Sequence, residues 1–175
     1  QARELTQSQT ILQDQIENLS DHIFKQGAMV IPGAISYDLN YYSVKLSAKS
    51  ISDITKYDSV RLTGASSGVI ANVVGTSATD GTDPDTLFVK YETSGTSNTS
   101  TSFTNGETLN CTIDGSAATA TVNTTHTGSS AYIGAGVFYI NGFHVSVTEQ
   151  VVVLDKYTNS PSYRVGLAVT ESFVT

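Results

Sequence analysis

The sequence holds one cysteine, three prolines and no tryptophan. With Cys111 alone, no disulfide can close within the chain and paired-cysteine metal sites are excluded; inside "TLNCTID" it reads as a small strand residue, not a nucleophile. Positive charge is scarce as well. Nine Lys and Arg against 16 Asp and Glu leave a net charge of −7 with no basic cluster, so a surface that tracks nucleic-acid phosphates is not expected. No apolar run approaches the roughly 20 residues of a membrane helix, and the start has neither a basic nor an apolar leader region, so no membrane insertion is expected. A chain that starts at Gln1 reads as a piece of a longer polypeptide.

Chemical motifs are missing too. There is no nucleophile elbow, phosphate loop, dinucleotide fingerprint or HExxH. His22, His126 and His144 fall in different predicted elements, without metal-ligand spacing. "TDGTDPD" gathers Asp80, Asp83 and Asp85, oxygen ligands of the kind that hold Ca²⁺, but their order is wrong for an EF-hand loop and Asp-Gly and Asp-Pro are ordinary turn pairs. No catalytic residue, metal or cofactor is therefore expected, and the chain reads as a non-enzyme.

What is abundant is Ser and Thr: 22 and 24 residues of 175. Across 93–130 the only Asp, Glu, Lys or Arg are Glu107 and Asp114. Short β-branched runs punctuated by Gly, Asn, Asp and Ser spell all-β structure, because Thr and Val fit a pleated surface and the small polar residues make its turns. Such domains are common outside cells and on virus particles.

The exception is the opening, "QARELTQSQTILQDQIENLSDHIFKQG". Leu5, Leu12 and Leu19 recur every seven residues, as do Gln9, Ile16 and Ile23, giving a heptad seam with Leu at d and Gln or Ile at a. No Gly or Pro interrupts it, and Gly27 is a stop signal, which predicts a helix over about 2–25. The flanking Ser8, Gln13, Gln15 and Ser20 are uncharged, a silence that a homo-oligomer tolerates best. The oligomer interface is accordingly expected at Leu5, Leu12, Ile16, Leu19 and Ile23. The competing expectation is an amphipathic helix docked on its own domain.

Further along, Ile35, Tyr37, Leu39 and Tyr41 alternate on one face, then Tyr42, Val44 and Leu46 on the other, a phase slip that predicts a bulge or a break between strands. "SVRLTG", "GVIANVVG", "TLFVKYET" and "GETLNCTID" read as the strands of a compact unit, with a hairpin turn over 64–68. "GVFYINGFHVSV" is a hairpin on Asn141-Gly142, pairing Ile140 with Phe143 and Phe138 with Val145. That apolar face is expected to be core, with His144 on the wetter side. "QVVVLD" reads as another strand, and "YRVGLAVT" as a last one carrying Tyr163, Val165, Leu167 and Val169. The fold expected is mainly β with an N-terminal α-helix: a short coiled-coil segment followed by a small β-barrel or sandwich. The divisions expected are 1–26 (oligomerisation or docking helix), 27–50 (connecting strands), 51–130 (barrel or sandwich) and 131–175 (hairpin and closing strands).

Two stretches carry a resemblance. "QARELTQSQTILQDQIENLSDHIFKQG" resembles the N-terminal segment of a structural-protein family of unknown function in T4-like tailed phages, especially phages of cyanobacteria. "GVFYINGFHVSVTEQVVVLDKYTNSPSYRVGLAVTESFVT" resembles a downstream stretch of that family. The resemblance implies a virion protein of the tail, at the baseplate or the base of a fibre, with other tail proteins as partners. It brings no catalytic residues. Phage fibres are habitually trimeric, whereas Ile at a with Leu at d leans toward two strands, so the trimer is implied by the resemblance and not by the seam. The alternative expectation is a carbohydrate-binding adhesin domain that meets a host surface glycan.

Overall fold

The computed structural model describes residues 2–172. Its elements are one helix, α1 (Ala2–Ile23), and ten strands: β1 (Met29–Ile31), β2 (Ile35–Lys49), β3 (Arg61–Gly64), β4 (Ile70–Ser77), β5 (Thr86–Thr93), β6 (Thr108–Ile113), β7 (Ser116–Ile133), β8 (Gly136–Ile140), β9 (Phe143–Val147) and β10 (Gln150–Asp155). The chain is mainly β with an N-terminal helix. It divides into two compact units, one joining the chain up to Tyr37 with Ala131–Val152, the other joining Asp38–Ser130 with the chain from Val153. Of the linear divisions at 27, 51 and 131, the one at 131 coincides with an observed boundary, and those at 27 and 51 do not. The cuts fall inside β2, β7 and β10, and a sequence read left to right cannot show that distant segments share a unit.

In the larger unit the hydrogen-bonded strand order runs β10-β7-β2-β5-β4-β3-β6, and β6 pairs again with β7. The pairing thus returns on itself through six strands. Val44, Leu62, Leu87 and Leu109 point into the enclosed core and are completely buried, with the small Ala118 and Ala120 of β7 facing them. Two register shifts in β4, at Ile70/Ala71 and at Val73/Gly75, supply the bends that a small closed circuit demands. The β6–β7 hairpin turns on Asp114 and Gly115, with φ of 51° and 77°, the left-handed pair of a type I′ turn. A short 3₁₀ turn, Ile54–Tyr57, fills the core: Asp53 caps it by accepting from the Thr55 N–H and hydroxyl, and the buried Tyr57 donates its hydroxyl to the Thr119 carbonyl at 2.8 Å.

β2 is continuous through Tyr41-Tyr42, and its pairing with β5 from Tyr42↔Val89 to Lys45↔Thr86 is regular. The phase slip predicted a bulge or break; instead, it marks a change of surroundings along one strand. Tyr42, Val44 and Leu46 face the core of the larger unit, while Ile35, Tyr37 and Leu39 are exposed.

At the end of β10 and just past it, residues 155–158 are fastened across the outside of this sheet. The Ser43 hydroxyl donates to the Lys156 carbonyl at 2.6 Å, the Tyr157 and Thr86 hydroxyls lie 3.0 Å apart, and Lys45 Nζ sits 3.8 Å above the Tyr157 ring. Gly128 lets the backbones meet, since a Cβ there would stand 2.6 Å from the Asp155 oxygen and 2.7 Å from that of Lys156. Gly128→Val is expected to lift this strap and to cost about 1–3 kcal/mol, the usual penalty of overpacking. Chemical denaturation checks the loss, with Gly166→Val, where nothing lies within 4 Å, as the unchanged control.

The second sheet, in the smaller unit, has the order β1-β8-β9. Its β8–β9 register, Phe138↔Val145 and Ile140↔Phe143, follows from Asn141-Gly142, whose φ values of 47° and 85° are those of the expected turn. The expected facing holds only in part: Phe138 is buried and His144 is exposed as expected, and Ile140 is half-buried. Phe143 and Val145 are 48% and 39% exposed, and the fully buried residue is Tyr139 on the supposedly wet side. Residues 159–172 form no strand, leaving Tyr163, Val165, Leu167 and Val169 exposed, because an alternating segment becomes a strand only where a neighbour pairs with it.

Candidate functional site

Of the predicted site residues, those of the helix come together. Leu5, Leu12, Ile16, Leu19 and Ile23 share one stripe of α1, and all five are 47–64% exposed. At 100° per residue the centre of this stripe lies roughly 110° around the helix from the side that meets the rest of the unit. The meeting side is polar. Tyr139 donates its hydroxyl to Asp21 Oδ1 at 2.6 Å, with the Glu17 carbonyl at 3.4 Å. Ser20 is buried, and a Cβ on Gly142 would stand 2.9 Å from the Glu17 side chain. Just past the helix, the Phe24 ring lies edge-on to His144 with 6.0 Å between centroids and tilted against Tyr139 at 5.8 Å. The Gly27 N–H donates to the Tyr139 carbonyl, and Gly27 takes φ 78°, the left-handed conformation foreseen for the stop.

An amphipathic helix ordinarily docks through its apolar stripe. Here Glu17, Ser20 and Asp21 dock and the stripe does not. The hydrogen bond to Asp21, with burial and the nearby carboxylate charge, pushes the Tyr139 hydroxyl up to about 12, so it stays a donor at any physiological pH.

The acidic loop is organised by lysines. Asp85 pairs with Lys49, Asp83 lies 3.6 Å from Lys45, and Lys156 lies 3.6 Å from Asp80 and 3.7 Å from Asp83. Asp80 Oδ1 also accepts from the Thr82 and Asp83 N–H groups, an ordinary Asx turn. Among the described residues no three His, Cys, Asp or Glu side chains are grouped as a metal would need. Cys111 is half-buried, its thiol pushed up by burial and aimed at the Ala118 carbonyl, a poor nucleophile's surroundings.

Tyr41 and Tyr42 are both half-buried, and each ring lies against another aromatic ring. Tyr41 stacks on Phe88 with centroids 5.1 Å apart, and Tyr42 lies edge-on to Tyr91 at 5.2 Å. A cleft of 430 Å³ in the larger unit is lined by Leu46–Lys49, Ser52, Thr79, Pro84 and Asp85, with no aromatic ring and with its two charges paired to each other.

One important group is not marked by any motif in the sequence. Glu107 is 6% exposed, and its carboxylate accepts from the N–H and hydroxyl of Ser66, the N–H and hydroxyl of Ser67 and the N–H of Thr104. It ties the β3–β4 turn to the loop before β6. The available signal was its isolation in a Ser/Thr stretch, where a lone carboxylate has many donors within reach.

No protein-family model, curated protein or solved structure matches the chain. Among the described residues, no helix is long and apolar enough to cross a membrane.

Proposed function

We propose that this chain is a non-catalytic structural component of a phage tail, at the baseplate or the proximal part of a tail fibre. It attaches fibre to baseplate and supports host adsorption. Helix α1 gathers identical chains into a homotrimer through Leu5, Leu12, Ile16, Leu19 and Ile23, a short coiled coil ahead of a small β-barrel that serves as a rigid spacer. The observation that carries the assembly is the helix docked by its polar side with its heptad stripe uncovered. The tail setting and the number three rest on the resemblance of the two end stretches.

Burying each aliphatic seam residue contributes about 1.5–3 kcal/mol, so Ile16→Asp, which places a charge in the seam, is expected to return assembled chains to monomers. Light-scattering mass of the wild type and the variant checks this. An assembly whose mass survives the change would make α1 a docking arm for a different tail protein. Antibodies against the chain, applied to virions that contain it, are expected to label the tail. Label on the capsid alone would remove the tail reading.

A further inference from the structure

The seam of α1 contains one polar residue. Gln9 stands at an a position, exposed on the same stripe as Leu5, Leu12 and Ile16. Nothing about a single helix calls for an amide there. Resting on the assembly reading above, we infer that Gln9 sets the alignment of the copies, so that the helices associate parallel and in register.

The occupant of the stripe is a second copy of the same helix, and two features favour it. The positions flanking the seam, Thr6, Gln13 and Ser20 on one side and Ser8, Gln15 and His22 on the other, carry no Asp, Glu, Lys or Arg. Identical helices can therefore meet without like-charge repulsion, whereas a foreign helix would find no charges by which to be chosen. The Gln9 amide, moreover, is self-complementary: it offers a carbonyl acceptor and an NH₂ donor, so equivalent amides satisfy one another.

Alternative alignments leave the amide without a partner. Turning one helix end for end over the same seam places Gln9 opposite Leu19, since Leu5 then meets Ile23. Sliding a parallel copy by one heptad places Gln9 opposite Ile16. In either case a buried amide faces an aliphatic side chain and loses its hydrogen bonds to water without replacement. Only parallel, in-register helices bring the Gln9 side chains together. A single polar a residue is a recognised means of fixing register, at some cost in affinity.

The test uses the full chain with Cys111→Ser as background. Leu5→Cys alone is expected to oxidise to a cross-link between copies, because equivalent d residues face one another. A mixture of Leu5→Cys chains with Ile23→Cys chains is expected to yield no Leu5–Ile23 cross-link. Gln9→Ile should tighten association about tenfold while admitting the mixed cross-link, and Gln9→Asn should keep the exclusive pattern. Abundant mixed cross-links in the Gln9 chain, or a Gln9→Ile chain as exclusive as its parent, would overturn the inference while leaving the seam reading standing. Monomer mass and no cross-links of either kind would overturn the seam reading and the inference with it.

Discussion

Replacing Glu107 by Ala is expected to cost about 3 kcal/mol or more and to remove much of the acid sensitivity of the larger unit. The carboxylate serves two turns at once. Without it, the N–H groups of Ser66, Ser67 and Thr104 lose their acceptor, and Gly64, where a Cβ would stand 2.4 Å from Ser67 Oγ, keeps the turn too tight for easy rearrangement. Each buried donor left unsatisfied costs about 1–3 kcal/mol, and hydrogen bonds to a charged acceptor are the stronger kind. Burial raises the affinity of this carboxyl for a proton, but the hydrogen bonds from Thr104, Ser67 and Ser66 outweigh burial and hold it below the usual glutamate value of 4.5. The sign of the pH effect follows. The unfolded chain takes up the proton more readily, so the contribution is complete above the ordinary glutamate range and disappears as pH falls through the lower folded value. Urea denaturation between pH 7 and 3 checks this: the Glu107→Gln chain should start less stable and fall less steeply. A parallel fall in both chains would assign the acid sensitivity to other carboxylates.

Tyr139→Ala is expected to loosen the smaller unit far more than Phe143→Ala, although both rings lie in the same hairpin. Tyr139 is completely buried, supports Phe24 and holds Asp21 through its hydroxyl, whereas Phe143 is 48% exposed. Truncating a buried aromatic should lower amide protection in β8, β9 and the end of α1 about a hundredfold or more. Phe143→Ala should change it only a few-fold, as surface substitutions do. Hydrogen exchange checks both, with the larger unit as an internal standard. A larger effect from Phe143→Ala than from Tyr139→Ala would mean that the facing of the hairpin is the reverse of the one described. Tyr139→Phe separates the roles of ring and hydroxyl, since it keeps the packing and loses only the bond to Asp21.

Much of this protein is legible locally. An uninterrupted run with heptad spacing and a glycine stop can only be a helix, and Asn141-Gly142 sets its hairpin register because both positions demand positive φ. Asp114-Gly115 carries the same signal for the β6–β7 turn. The exposed seam was visible as a stripe, since spacing alone puts Leu5, Leu12, Ile16, Leu19 and Ile23 on one side of a helix.

What the spacing left open is which stripe meets the rest of the chain. That depends on Tyr139, some 120 positions away, whose hydroxyl found Asp21 and Glu17. The same limit explains the hairpin. Alternation separates two faces without saying where each is covered: Tyr139 is buried beside α1 and Phe24, elements that the hairpin's own residues do not encode, while Phe143 and Val145 on the expected core face stay exposed. Local sequence thus determined the helix, the turns and the strands that have partners. Only the tertiary structure decided which faces are buried, how distant segments join into units, and that Glu107 would become the shared acceptor of two turns, because burial and pairing are properties of neighbours in space and not of neighbours in the chain.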